Sequence, residues 1–116
     1  MKLIIAGSRH LTDIDSEGIQ DFINFLGIEN ITEVVCGGAK GIDAAGKLWA
    51  EENGIHVEPF PAEWEQYGKA AGHIRNKQMA DYADELLVIW NGKSAGSANM
   101  KSTMEKINKP VHVGTF

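Results

Sequence analysis

Short apolar runs alternate with segments whose apolar residues recur every three or four positions, and this alternation limits the possible folds more than any other feature. Runs at 3–6, 33–36, 55–60, 86–90 and 111–113 have the length of buried strands. Between them, Ile19, Phe22, Ile23 and Leu26 mark one helical face, and Ile42, Ala45, Gly46 and Trp49 a second. A third helix is expected over 70–82, and Met100, Thr103, Met104 and Ile107 mark a fourth face. Gly27, Asn53-Gly54 and Asn108-Lys109-Pro110 supply the stops. The stretch 62–69 reads as a polar connection carrying Trp64 and Tyr67. Strands joined through helices must run parallel, with helices covering both faces of the sheet. Right-handed crossovers and one reversal of winding predict an α/β, doubly wound, five-stranded parallel sheet in the order 3-2-1-4-5. At 116 residues, the chain is expected to form a single domain over 1–116.

Charge and cysteine content exclude several functions. Sixteen acidic residues against eleven lysines and arginines give a net charge of −5, and no basic stripe is visible. Nucleic acid is therefore disfavoured as the main partner. Cys36 stands alone, which rules out a disulfide framework within the chain and a cysteine-based metal cluster. It reads as a small buried residue at a strand end. The four histidines have no metal-ligand spacing, so no metal and no required cofactor are expected. No apolar stretch approaches the roughly 20 residues of a membrane span. The opening MKLIIAGSRH has too short an apolar run for a signal peptide, and a cytoplasmic setting is expected. A homo-oligomer is compatible with the sequence, though no interface is specified.

Three strands run straight into small, polar, glycine-rich turns: GSRH (7–10), GGAKGID (37–43) and WNGKSAGS (90–97). All three lie at the carboxyl ends of their strands and so share one edge, where open α/β sheets bind ligands near the switch point. Glycine admits close backbone approach, and the helix that follows offers free N–H groups and a positive dipole end. Arg9, Lys40 and Lys93 add charge. GGAKGID therefore reads as a cradle for phosphate or pyrophosphate. Asp43 either accepts from a ligand hydroxyl or satisfies amides at its own helix start. GKS at 92–94 is not a P-loop, because the pattern needs glycine at position 87 and leucine stands there. The dinucleotide fingerprint G-x-G-x-x-G is also absent.

The third helix carries an arginine on its inward stripe. Gly72, Arg75, Asn76, Met79, Tyr82 and Ala83 share one face, and the last three should meet the sheet. At the first turn that face overlooks the carboxyl edge, so Arg75 is expected either to reach a ligand anion or to pair with Asp84 or Asp43. Trp64, Tyr67 and Trp90 flank the region and would stack on a base or pack under loops.

Together, GSR, GGAKGID, AEWEQYGKAAGHIRNKQMADYAD (62–84) and WNGKSAGS resemble the YspA/YpsA-type branch of the SLOG superfamily. The resemblance covers nearly the whole chain and implies a Rossmann-like fold that binds nucleotides or nucleotide-derived ligands. It implies distant kinship with the LOG phosphoribohydrolases and the DprA proteins. It also implies ligand-binding roles for Gly7, Ser8, Arg9, Gly37, Gly38, Gly41, Asp43, Arg75, Asn76, Gly92, Ser94, Gly96 and Ser97. Ala39, Lys40, Trp90 and Lys93 join them from the reading of the turns. The expected function is recognition of an ADP-ribose-like or cyclic nucleotide ligand, as a sensor or sequestering module. The alternative is a LOG-like hydrolase of N-glycosidic or phosphoanhydride bonds, with Arg75, Asp43 and Glu63 as catalytic candidates. Asn99 and Met100 stand where the LOG pattern places its glutamates, which argues against that alternative.

Overall fold

A computed structural model describes residues 1–115. Strands β1 (Lys2–Gly7), β2 (Glu33–Cys36), β3 (His56–Pro59), β4 (Glu85–Trp90) and β5 (Val111–Thr115) form one sheet in the order β3-β2-β1-β4-β5. Every neighbouring pair is parallel. The helices are α1 (Ser16–Leu26), α2 (Ile42–Glu52), the single-turn α3 (Trp64–Tyr67), α4 (Ala71–Tyr82) and α5 (Ala95–Lys106). The strand order and direction are those the alternation predicts. The stretch 62–69 is more ordered than a plain connection. The Glu63 carbonyl accepts from the Gln66 and Tyr67 amides and closes α3, and a 3-10 turn, Gly68–Ala70, leads into α4. Among the described residues, no helix is long and apolar enough to cross a membrane.

The continuous apolar run of β1 reflects burial on both faces. Leu3 and Ile5 point to one side, against Ile19 and Ile23 of α1 and Ile42, Ala45 and Trp49 of α2. Ile4 and Ala6 point to the other, against Met79 and Ala80 of α4 and Met100 and Met104 of α5. In β4, Leu87 and Ile89 alternate with Leu86 and Val88 in the same way. Each large side chain buried here contributes about 1.5–3 kcal/mol. The helix ends follow local chemistry. The Asp15 carboxylate accepts from the Gly18 amide at 2.9 Å and starts α1. Gly27, at φ +67°, ends it with an amide bonded back to the Ile23 and Asn24 carbonyls. Winding reverses between β1 and β4, so their carboxyl ends frame the crevice between the two helical layers.

Two helical glycines separate packing from solvent. A Cβ on Gly46 of α2 would lie 2.6 Å from the Ile5 Cγ2 atom, whereas one on Gly96 of α5 meets nothing within 4 Å. Gly46→Ala is expected to lower stability by about 1–3 kcal/mol through overpacking. Gly96→Ala should leave it unchanged or raise it by up to about 1 kcal/mol. Urea denaturation of both variants checks this, and equal losses would contradict the packing described.

Candidate functional site

The crossover loops after β1, β2 and β4 meet at the carboxyl edge. A Cβ on Gly41 would lie 2.6 Å from the Ser8 carbonyl oxygen, and its φ of +72° is one that only glycine adopts at little cost. A Cβ on Gly7 would lie 2.0 Å from the Ile89 carbonyl oxygen, so the ends of β1 and β4 approach too closely for any side chain. Ser8 is buried, and its amide donates to that same Ile89 carbonyl at 3.2 Å. Gly38 and Gly92 sit at φ +79° and +85° with open space around them.

Arg75 reaches this edge from the first turns of α4. Its Nη1 donates to the Gly37 carbonyl at 2.6 Å, and its Nε donates to Asn76 Oδ1 at 3.2 Å. A Cβ on Gly37 would sit 2.3 Å from Nη1, so a side chain there would displace the guanidinium from this position. Asn76 is buried; its Nδ2 donates to Asn99 Oδ1 at 2.9 Å and to the Gly96 carbonyl at 3.4 Å. One hydrogen-bonded chain thus runs from the β2 loop through α4 to the start of α5. The anticipated pairing with Asp84 is not made, because Asp84 Oδ2 accepts from the Lys2 amide at 2.8 Å. Among the described residues, no carboxylate, Asp43 included, lies within 4.0 Å of the Arg75 guanidinium.

Asp43, one residue inside α2, is buried at 5% exposure. Its Oδ2 accepts from the Ala39 amide at 3.3 Å. Burial pushes its carboxyl above the ordinary range, against the opposing pull of the Ala39 amide, the Arg75 charge and the Gly37 and Gly7 amides. Part of the expected phosphate cradle is therefore closed on the chain's own carboxylate. Cys36 lies beneath it, its thiol pushed up by burial and then by the Asp43 charge, as befits an inert core residue.

The remaining candidates divide between loop surface and packing. No side chain caps α2, since its N-cap is Gly41, so its first-turn amides are left without side-chain partners. The start of α5 is already served: Ser94 Oγ accepts from the Ser97 amide at 3.4 Å, and Ser97 is buried. Arg9, Lys40 and Lys93 are exposed. Trp90 is half-buried and packs against the α4–α5 layer. Trp64 is 60% exposed, with its ring over Gly72, where a Cβ would lie 3.6 Å from the ring edge. Glu63 lines an open depression of about 620 Å³ with Ala62, Trp64, Glu65 and Gln66. No hydrogen bond joins its side chain to Arg75 or Asn76. Asn99, which the sequence offered only as the replacement for a glutamate, is a working member of the edge network; Met100 is core.

An open parallel sheet of this order, with helices on both faces and amides and cations gathered at its carboxyl edge, defines a Rossmann-like α/β domain. The chain belongs to the YspA, cpYpsA-related SLOG family, whose model matches residues 1–67. It is 37% identical over 84 residues to the Gene 61 protein of Mycobacterium phage D29, a match covering 67% of each chain. In fold it is similar to DNA processing protein A (DprA) of Streptococcus pneumoniae, with a TM-score of 0.76 at 21% identity. That likeness covers 97% of this chain and 49% of DprA, so the chain spans about half the length of that protein.

The raised Asp43 carboxyl gives a signed pH effect. The folded state holds this proton more tightly than the unfolded chain, so the group's contribution to stability falls as pH rises from about 3.9, the unfolded value, through the folded one. Asp43→Asn removes that loss while keeping an oxygen for the Ala39 amide. The melting temperature of Asp43→Asn minus that of the native protein should therefore grow between pH 4 and pH 7. A difference that stays constant or shrinks over that range contradicts the assignment.

Proposed function

We propose that this domain binds a nucleotide or nucleotide-derived ligand, ADP-ribose-like or cyclic, at the carboxyl edge of its sheet, as a sensor or sequestering module. Charge placement carries the reading. Arg9, Lys40, Arg75 and Lys93 gather on one edge of a chain whose net charge is −5. Among the described residues, none of the four has a carboxylate within 4.0 Å. An acidic chain that leaves these cations without acidic partners beside uncapped helix amides favours an anion there. Arg75 spends two donors on Gly37 and Asn76 and has others left for phosphate. The exposed face of Trp64, one helical turn before Arg75 by way of Gly72, suits a stacked base. Family membership supports a nucleotide-related role.

Binding without turnover fits the site better than hydrolysis. Asn99 and Met100 are committed to an interhelical hydrogen bond and to the core. Asp43 is buried and accepts from the Ala39 amide, and no hydrogen bond joins the Glu63 side chain to Arg75 or Asn76.

Calorimetric titration with ADP-ribose, AMP and a cyclic nucleotide tests the proposal. At least one should bind, and Arg75→Ala should weaken that binding by about 1.5–3 kcal/mol, roughly 10- to 150-fold. Chromatography of the same mixtures should find no released base or ribose phosphate. Silence from every phosphate-bearing ligand would defeat the proposal, and turnover would replace it with the hydrolase.

A further inference from the structure

On one face of the β2–β3 pair, three metal-ligating side chains converge, two of them at its amino end. The parallel register sets Glu33 of β2 beside His56 of β3, and Val35 beside Glu58. Residues two apart on a strand share a face, so all three project from the side of the sheet that carries α4. Each offers one donor atom within 4.8 Å of the others. His56 Nε2 lies 3.0 Å from Glu58 Oε2 and 3.9 Å from Glu33 Oε1. Ligands at zinc-like bond lengths in a tetrahedron stand about 3.3 Å apart, so side-chain shifts of about 1–1.5 Å would close this set on one ion. We infer that Glu33, His56 and Glu58 form a binding site for a single divalent transition-metal ion of the zinc class.

Three further observations support the site. First, the Tyr82 hydroxyl donates to Glu33 Oε2, which leaves Oε1 turned toward His56. Such an outer partner orients a ligating carboxylate. Tyr82 is itself held by the Lys2 ammonium, 3.9 Å from its ring centroid, and by Phe60, with ring centroids 5.3 Å apart. Second, among the described residues no lysine or arginine comes within 4.0 Å of either carboxylate. Two converging carboxylates repel unless a cation or a proton joins them. Third, Glu33 is largely covered while the His56 side chain is 64% exposed, so one side of the set is open to water as a further ligand. One imidazole with two carboxylates suits zinc, cobalt or nickel better than calcium or magnesium, which favour oxygen donors alone. Linear spacing could not reveal this set, because Glu33 and His56 meet only through strand register.

Bound metal would pin the four-residue edge strand β3 to β2, away from the carboxyl edge, and so the site does not depend on the proposed ligand. His112 provides an internal control. Its Nε2 lies 2.7 Å from Glu85 Oε1, but no third donor of the metal-ligating kind joins that pair among the described residues.

The test is equilibrium dialysis of the tag-free full chain against Zn²⁺, with Co²⁺ absorption reporting coordination. One equivalent of zinc should bind, and cobalt should give the intense visible bands of a four- or five-coordinate site. His56→Ala and Glu58→Gln, checked for folding by circular dichroism, should each weaken binding at least 10-fold, and His112→Ala should not change it. Tyr82→Phe should lower affinity less while altering the cobalt spectrum. Absence of zinc binding, or zinc bound equally by His56→Ala and Glu58→Gln, overturns the inference.

Discussion

The hydrogen bond from Arg75 to the Gly37 carbonyl holds the carboxyl edge in its present form. A side chain at position 37 would displace the guanidinium from its present place, and the bond ties a helix on one face of the sheet to the loop that feeds a helix on the other. Through Asn76 and Asn99 the same guanidinium is linked to the start of α5. The loops after β2 and β4, which would otherwise be independent, are thereby held in one arrangement by α4. Preorganisation of this kind would lower the ordering cost of the binding proposed for this edge.

The edge is built from opposed charges held apart. Asp43 lies buried among backbone amides, within the electrostatic reach of Arg75 but not in an ion pair with it. An ion pair would neutralise the guanidinium and leave little attraction for an anion. Keeping the carboxylate on amides instead fixes the β2 loop while Arg75 keeps donors for a partner. The cost is a desolvated carboxylate, the sort of strain that functional sites carry and that cores avoid. Among the described residues, the loop surface above it, with Arg9, Lys40 and Lys93, is then free of acidic partners within 4.0 Å in a chain rich in acids.

The fold was legible because its signals are local and repeated. The runs of β1 and β4 are apolar on both alternating faces, and Gly27 stops α1 by a backbone conformation that few other residues adopt. Arg75 and Asn76 could be placed at the edge because helical periodicity put them on the stripe of Met79 and Ala83, both buried. What escaped depends on distance along the chain or on a choice between equal partners. Asn76 meets Asn99 across 23 positions, a contact no window along the sequence can see. Asp43 was open to two readings, ligand contact or amide acceptor, since the same side chain at a helix start serves either; geometry alone turns it toward Ala39. The single turn of α3 was missed because four residues hold too little periodicity to register.

The central claim is that the amides and cations of this edge receive a phosphate-bearing metabolite. Mapping backbone amide shifts by two-dimensional NMR during titration with ADP-ribose tests it most directly. The account predicts saturable shifts concentrated in Gly7–Arg9, 37–44, 75–76 and 92–97, with β3 and the outer face of α1 unmoved. Shifts centred elsewhere, or none in the loop after β2, would contradict it.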